Sequence, residues 1–277
     1  MAENVSMASK TDGTLWGWGL GTIGQLGQNN RTTRSSPVQV PGTSWSTGDS
    51  KISIGRNTMY AIKTDGTLWS WGSNAYGVLG TNTPDNVHQS SPTQIPGTTW
   101  SNVISSGYQD GSRNFVLATK TDNTLWAWGG NGKGELGQNE AANNDKKSRS
   151  SPTQIPGTTW ATGGDKMYCM SATGFAIKTD NTMWGWGKNF NGSIGVNNHV
   201  QYSSPVQISG TWSKTMGRIS LKTDGTLWAW GQNQYGVVGN NTAATYYSSP
   251  VQIPGTTWID LGGSVEGAGT PLVLKNL

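Results

Sequence analysis

Short apolar runs closed by polar, glycine-containing turns fill this chain from end to end. Met59-Tyr60-Ala61-Ile62 leads into Lys63-Thr64-Asp65-Gly66-Thr67 and then into Leu68-Trp69-Ser70-Trp71-Gly72. Asp-Gly between two apolar runs predicts a tight β-hairpin, because both central residues take positive φ in the turn that joins twisted strands. Two copies carry asparagine in place of the glycine, Asp122-Asn123 and Asp180-Asn181, and asparagine is the next residue that tolerates that backbone. Side chains alternate faces along a strand, so Trp69 and Trp71 share one face while small Ser70 and Gly72 share the other. No apolar stripe recurs at helical spacing, and 40 glycines and 11 prolines argue against helices altogether.

The pattern repeats. All 15 tryptophans fall at three positions of one recurring unit: the pairs Trp16/Trp18, Trp69/Trp71, Trp126/Trp128, Trp184/Trp186 and Trp228/Trp230, and the singles Trp45, Trp100, Trp160, Trp212 and Trp258. The marker lysines Lys10, Lys63, Lys120, Lys178 and Lys222, with a partial copy at Lys275, stand roughly fifty residues apart, a period that suits a four-stranded propeller blade. We label the strands A (after the single tryptophan), B (before Lys-Thr-Asp), C (the Trp-x-Trp pair) and D (Ser-Ser-Pro-x-Gln). Proline is tolerated at the start of strand D because no ladder donor is needed there, and Pro96-Gly97 closes that strand as a turn. The expectation is an all-β protein, residues 1–277 forming one β-propeller of four-stranded antiparallel blades. Five blades would be closed by the C-terminal strands, with Trp258–Leu261 supplying the strand A that blade one lacks and either Val5–Lys10 or the more apolar Pro271–Lys275 supplying its strand B.

The run Lys-Thr-Asp-Gly-Thr-Leu-Trp-x-Trp-Gly-x-Asn-x-x-Gly-x-Leu-Gly, best kept in residues 63–82 and 222–241, resembles the repeat of the regulator of chromosome condensation family, in the versions found in bacterial and bacteriophage proteins. The first copy departs from it, with Gly21 where the others have Asn74, Asn131, Asn189 and Asn233. Members of that family typically form seven-bladed propellers, and among them one bacterial protein inhibits a β-lactamase through its loop face and the eukaryotic founder is a nucleotide-exchange factor on chromatin; five repeats here leave the blade count to be decided by the chain itself.

Composition narrows the chemistry. Tryptophans that each bury on the order of 150–250 Å² supply a core without disulfides, and the single cysteine, Cys169, lies in the apolar stretch Met167-Tyr168-Cys169-Met170 as a buried structural thiol. A net charge of +4 with 12% charged residues offers no basic stripe for nucleic acid. His88 and His199 sit in equivalent loops of different repeats and do not make a metal site, and no calcium loop or phosphate loop is present. No cofactor is implied, no apolar run is long enough to span a membrane, and the first ten residues lack the apolar core of a signal peptide.

Differences between copies carry the functional expectation. The C–D connections (residues 30–34, 83–89, 140–149, 198–202 and 242–247) and the A–B connections vary freely, while the B–C hairpins and Pro-Gly turns barely change. In an antiparallel blade the A–B and C–D connections emerge on one face. Loops on a rigid scaffold favour binding, and aromatic and arginine side chains dominate hot spots. The candidate binding residues are therefore Tyr108, Arg113, Lys146, Lys147, Arg149, Tyr202, Tyr246 and Tyr247; Tyr202 and Tyr247 immediately precede Ser-Ser-Pro, which gives them a competing role at the start of strand D.

The reading is a non-enzymatic attachment module, a bacteriophage virion or receptor-binding protein that works outside the cell. Its partner would be a protein or a cell-surface glycan, with assembly onto other virion proteins. A five-site lectin is the alternative, and it would repeat its polar ligands in every blade. A propeller enzyme such as a glycosidase ranks third, since its two carboxylates would have to converge from distant blades.

Overall fold

The structure is a computed structural model and describes residues 4–107, 114–140, 147–242, 246–262 and 272–275. Blade one has three strands, β1 (Val5–Ser9), β2 (Leu15–Gly19) and β3 (Arg34–Gln39). Four complete blades follow. Blade two contains β4 (Ile52–Ile54), β5 (Thr58–Ile62), β6 (Leu68–Gly72) and β7 (Gln89–Gln94), and blade three contains β8 (Trp100–Ser105), β9 (Phe115–Lys120), β10 (Leu125–Gly129) and β11 (Arg149–Ile155). Blade four contains β12 (Met167–Met170), β13 (Thr173–Ile177), β14 (Met183–Gly187) and β15 (Tyr202–Ile208), and blade five contains β16 (Trp212–Thr215), β17 (Ile219–Lys222), β18 (Leu227–Gln232) and β19 (Tyr246–Gln252). Last come β20 (Trp258–Gly262) and β21 (Leu272–Lys275) as a two-stranded sheet. Every pairing is antiparallel, and each complete blade runs A-B-C-D in chain order.

The propeller of four-stranded antiparallel blades expected from the sequence is what forms. At the chain ends β21 is the strand B that pairs with β20, and the departure from expectation is that among the described residues no ladder joins either of them to blade one. Trp258 faces Lys275 as Trp100 faces Lys120 and Trp212 faces Lys222, so the C-terminal copy begins a sixth blade and does not complete the first. Loop closure explains the choice. Pairing with a nearby strand closes a short loop, whereas pairing with β1 would close nearly the whole chain, and the entropic cost rises with loop length.

Strand C shows how the tryptophan pair is used. Its ladder to strand D slips between the small residue and the glycine that flank the second tryptophan, as between Ser70 and Gly72 or between Ala127 and Gly129. Such a bulge bends the strand and re-aims the side chain. Trp71, Trp128, Trp186 and Trp230 are thereby buried in the seams between blades. One seam gathers Leu15, Leu26 and Val40 of blade one with Trp45, Met59 and Trp71 of blade two; another gathers Phe175, Met183, Ile194 and Ile208 of blade four with Trp212 and Trp230 of blade five. The single tryptophans meet the pairs edge-on, with Trp100 6.1 Å from Trp126 and 6.0 Å from Trp128 between ring centroids. Cys169 is buried in the seam between blades three and four.

The B–C hairpins on the opposite edge repeat one polar relay. In blade two, the Thr67 N–H and hydroxyl both donate to Asp65 Oδ1, at 2.9 and 2.7 Å, and the Trp69 indole N–H donates to Thr67 Oγ1 at 2.9 Å. Lys63 Nζ then lies 4.3 Å from the centroid of the Trp69 ring. Asp12, Asp122, Asp180 and Asp224 head the same relay in the other blades. The threonine hydroxyl is the main reason that all five carboxyls titrate below their ordinary range, assisted by the threonine N–H. The repeated charged and hydroxylic residues are thus engaged in holding turns, which leaves few of them for a ligand in every blade.

Candidate interaction face

The C–D connections begin with Asn-x-x-Gly in blades two to five. Asn74 anchors the first of these turns: its Oδ1 accepts the Leu79 N–H at 3.0 Å, and its Nδ2 donates to the Pro84 carbonyl at 2.8 Å. Asn189 does the same for Ile194 and Asn198, and Asn233 for Val238 and Thr242. Each asparagine therefore ties the near end of its loop to the far end. In blade one Gly21 replaces it, and its N–H donates to the Thr33 hydroxyl oxygen at 3.3 Å. A Cβ at Gly21 would stand 2.1 Å from the Thr32 carbonyl oxygen, so this copy of the loop is closed by backbone contact where the others use an amide.

Of the sequence-derived candidates, Tyr108, Arg113 and Lys146 lie outside the described residues. Lys147 is half-buried just before β11. Arg149 pairs with Glu140, whose other oxygen accepts from Asn131 Nδ2 at 3.1 Å, so its charge closes the loop of blade three. Tyr202 is half-buried, and its hydroxyl accepts from Asn198 at 2.9 Å. Tyr247 repeats that arrangement one blade on, accepting from Asn240 at 2.8 Å and bonding to Thr242 as well. Those contacts, Thr242 first, hold the Tyr247 phenol below its ordinary pKa. Both tyrosines thus brace the start of strand D. Tyr246 is the exposed one, and its ring meets the edge of His199 from blade four at 5.1 Å. The other histidine, His88, accepts the Asn74 N–H at 3.1 Å. Both histidines serve loop packing.

The structure adds residues that the sequence reading passed over. Among the described residues, the large apolar side chains that remain exposed are Tyr76, Val87, Phe190, Val200, Tyr235, Val237, Tyr246 and Ile259; all but Ile259 lie on a C–D connection or at its last residue. Phe190 is 73% exposed and Tyr235 85%. Tyr76 and Phe190 occupy the variable middle of Asn-x-x-Gly, as does Tyr235. Tyr76 also adopts φ +62, the left-handed region in which a bulky residue is uncommon. Its N–H is held by Asp85 Oδ1 at 2.5 Å. The equivalent position in blade four is Asn191, at φ +53, a residue suited to that backbone.

A cleft of about 700 Å³ opens among the inner strands, lined by Asp49, Asn102, Asp165, Tyr168, Lys214 and Asp260 among others. Its polar groups bind neighbouring blades to one another. Asn102 Oδ1 accepts the Gly163 N–H at 3.0 Å, and Lys214 pairs with Asp260 at 2.8 Å. Among the described residues no cluster of three or more His, Cys, Asp or Glu is placed to hold a metal ion.

Repeat, blade and seam together define a propeller built from regulator of chromosome condensation (RCC1) repeats. Profiles of that repeat match residues 12–61, 65–109 and 224–260, and a second profile of the same repeat matches 50–78. The chain is an RCC1-type repeat β-propeller. Over 211 residues it is 27% identical to the ultraviolet-B receptor UVR8 of Arabidopsis thaliana, covering 74% of this chain and 43% of that protein. Over 126 residues it is 30% identical to the human E3 ubiquitin-protein ligase HERC2, covering 46% of this chain and 2% of that one. It thus spans less than half the length of these relatives. Human WBSCR16 superposes with a TM-score of 0.75 at 18% identity, over 99% of this chain and 70% of that one. Prp20p of Saccharomyces cerevisiae does so with a TM-score of 0.72 at 16% identity, over 92% and 62%.

Proposed function

We propose that this protein is a non-enzymatic binding module that takes a protein partner on the face formed by its C–D connections. The observation that carries the reading is the concentration there of the exposed aromatic and aliphatic side chains, on loops whose asparagine anchors keep them in place. Aromatic side chains set on rigid loops give contact area at low entropic cost. Tyr76 adds a second mark of use, because a strained backbone persists where the surrounding structure imposes it and such residues cluster at ligand-binding sites. Protein binding also fits the likeness to Prp20p, whose structure was described with its binding to Gsp1p and histones. The sparse charge and the turn-rich, Gly- and Asn-rich surface suit a module displayed outside a cell, as on a virion, where it attaches its carrier to a host surface protein.

The test is capture with face-specific variants. Wild-type protein, a variant carrying Tyr76→Asn, Phe190→Ser and Tyr235→Ser, and a control altering Thr64 and Thr121 on the opposite edge are immobilised and exposed to host-surface and virion extracts, with a glycan array run in parallel. The reading expects one protein retained by the wild type and the control and lost by the triple variant. Retention by the triple variant with loss in the control would place binding on the other edge, and glycan binding with no protein retained would make the module a lectin.

A further inference from the structure

The charges of this chain are sorted by face. Along the hairpin edge each marker lysine of blades one to five has an aspartate two residues on, from Lys10 and Asp12 to Lys222 and Asp224, so that edge is neutral blade by blade. The inner strands cancel likewise: Lys214 pairs with Asp260 at 2.8 Å, Lys166 stands 3.5 Å from Asp165, and Lys51 follows Asp49 by two residues. The loop face is different. Arg31 and Arg34 in blade one, Arg56 in blade two, Arg149 in blade three, Lys188 in blade four and Arg218 in blade five all lie on C–D or A–B connections or at their last residue.

Among the described residues the acids on those connections are Asp85, Glu135 and Glu140, and each is turned back onto its own loop. Asp85 Oδ1 accepts the Tyr76 N–H at 2.5 Å, Glu135 is buried and accepts the Lys133 N–H at 2.6 Å, and Glu140 holds Asn131 and Arg149. Lys133 and Lys147 join Arg149 in blade three, so basic groups outnumber acids on this face in blades one, three, four and five. Arg31, Arg34 and Arg56 are exposed, and their guanidinium groups make no ion pair or hydrogen bond among the described residues. The two edges are one strand apart, about 17 Å for the five residues of β6, twice the Debye length of about 8 Å at physiological salt. A partner approaching the loops therefore meets a positive face, and one approaching the hairpins meets a neutral one.

We infer that the partner taken by the loop face is an acidic protein surface, whose carboxylates meet Arg31, Arg34 and Arg56 while its apolar side chains meet Tyr76, Phe190 and Tyr235. The inference rests on the binding face proposed above and adds the chemistry of its occupant. Charge complementarity selects that occupant: a guanidinium grips a carboxylate through two parallel N–H donors, and a basic face speeds encounter with acidic partners. Basic and aromatic groups are mixed, with Lys188 Nζ 5.6 Å from the centroid of the exposed Phe190 ring. A nucleic acid draws its affinity from a run of phosphate contacts, whereas exposed aliphatic Val87 and Val200 share these connections with the basic groups and suit the apolar side chains of a protein.

Binding of labelled poly-L-glutamate, followed by fluorescence anisotropy at low and physiological salt, tests the charge without the captured partner. The wild type is compared with an Arg31→Gln/Arg34→Gln/Arg56→Gln variant and with a Thr64→Glu/Thr121→Glu/Thr179→Glu control, which lowers the net charge equally but on the hairpin edge. The arginine variant is expected to bind at least about tenfold more weakly while the control binds as the wild type does. Equal loss in both variants, a wild type that ignores poly-L-glutamate, or tighter arginine-dependent binding of single-stranded DNA would overturn the inference. Retention of the captured protein by the arginine variant, with its loss from the Tyr76→Asn/Phe190→Ser/Tyr235→Ser variant, would keep the binding face and overturn the acidic partner.

Discussion

The indole N–H of Trp71 reaches the Gln25 carbonyl at 2.9 Å across the seam between blades one and two. The bond joins consecutive copies of the repeat, and its recurrence at Trp128, Trp186 and Trp230 makes the tryptophan pairs a fastening device and removes them as ligand platforms. Trp128→Ala should therefore cost about 3–5 kcal/mol, as truncations of large core residues do. Trp128→Phe should cost about 1 kcal/mol for the lost hydrogen bond, since the Val78 carbonyl keeps the Tyr60 hydroxyl as a donor at 2.7 Å. Trp18→Ala, at a half-exposed position, should cost clearly less than Trp128→Ala. Denaturant melts of the three variants check the order.

Acid should weaken the propeller through its hairpins. Threonine hydrogen bonds hold the carboxyls of Asp12, Asp65, Asp122, Asp180 and Asp224 below their ordinary range. A carboxyl with a depressed folded-state pKa binds fewer protons folded than unfolded, so its stabilisation is present above the unfolded value and is lost as pH falls through the folded one. Melting temperature should hold from neutral pH to about pH 4 and drop below it. Replacing all five aspartates by asparagine should flatten that drop; an unchanged acid profile would show that other carboxyls dominate.

Cys169 should be inert in the native protein. It is buried in a seam, and its thiol points at the Ile104 carbonyl at 3.7 Å. A thiol reagent should label it only after denaturation, and fast native labelling would place it at an accessible site.

Much of the architecture was legible because the repeat encodes it locally. Asp-Gly and Asp-Asn mark the hairpins, Ser-Ser-Pro the start of strand D and Trp-x-Trp the buried strand, and each reads the same in every copy. The pairing of β20 with β21 was less legible, because Val5–Lys10 and Pro271–Lys275 carry the same strand B pattern and either reads as the partner of Trp258–Leu261. Among the candidate residues, Tyr202 and Tyr247 show why spacing alone could mislead: Asn198, at the start of a variable loop, and Asn240, just before one, hold their hydroxyls. Tyr76, Phe190 and Tyr235 were overlooked because they lie inside a recurring motif, Asn-x-x-Gly. Their signal was present in its variable middle: Ala75-Tyr76, Gly132-Lys133, Phe190-Asn191 and Gln234-Tyr235 share nothing but position.

The strained turn at Tyr76 gives the most direct test of the interaction face. Asparagine serves at the equivalent position in blade four and suits a left-handed backbone, so Tyr76→Asn should stabilise the protein by about 1 kcal/mol. If the tyrosine is kept for binding, the same change should weaken retention of the partner, as trade-offs between stability and function do. The decisive measurement is the melting temperature of Tyr76→Asn set beside its binding to the captured partner. The account predicts a higher melting temperature with weaker binding; a more stable variant that binds as the wild type does would contradict the assignment of this face.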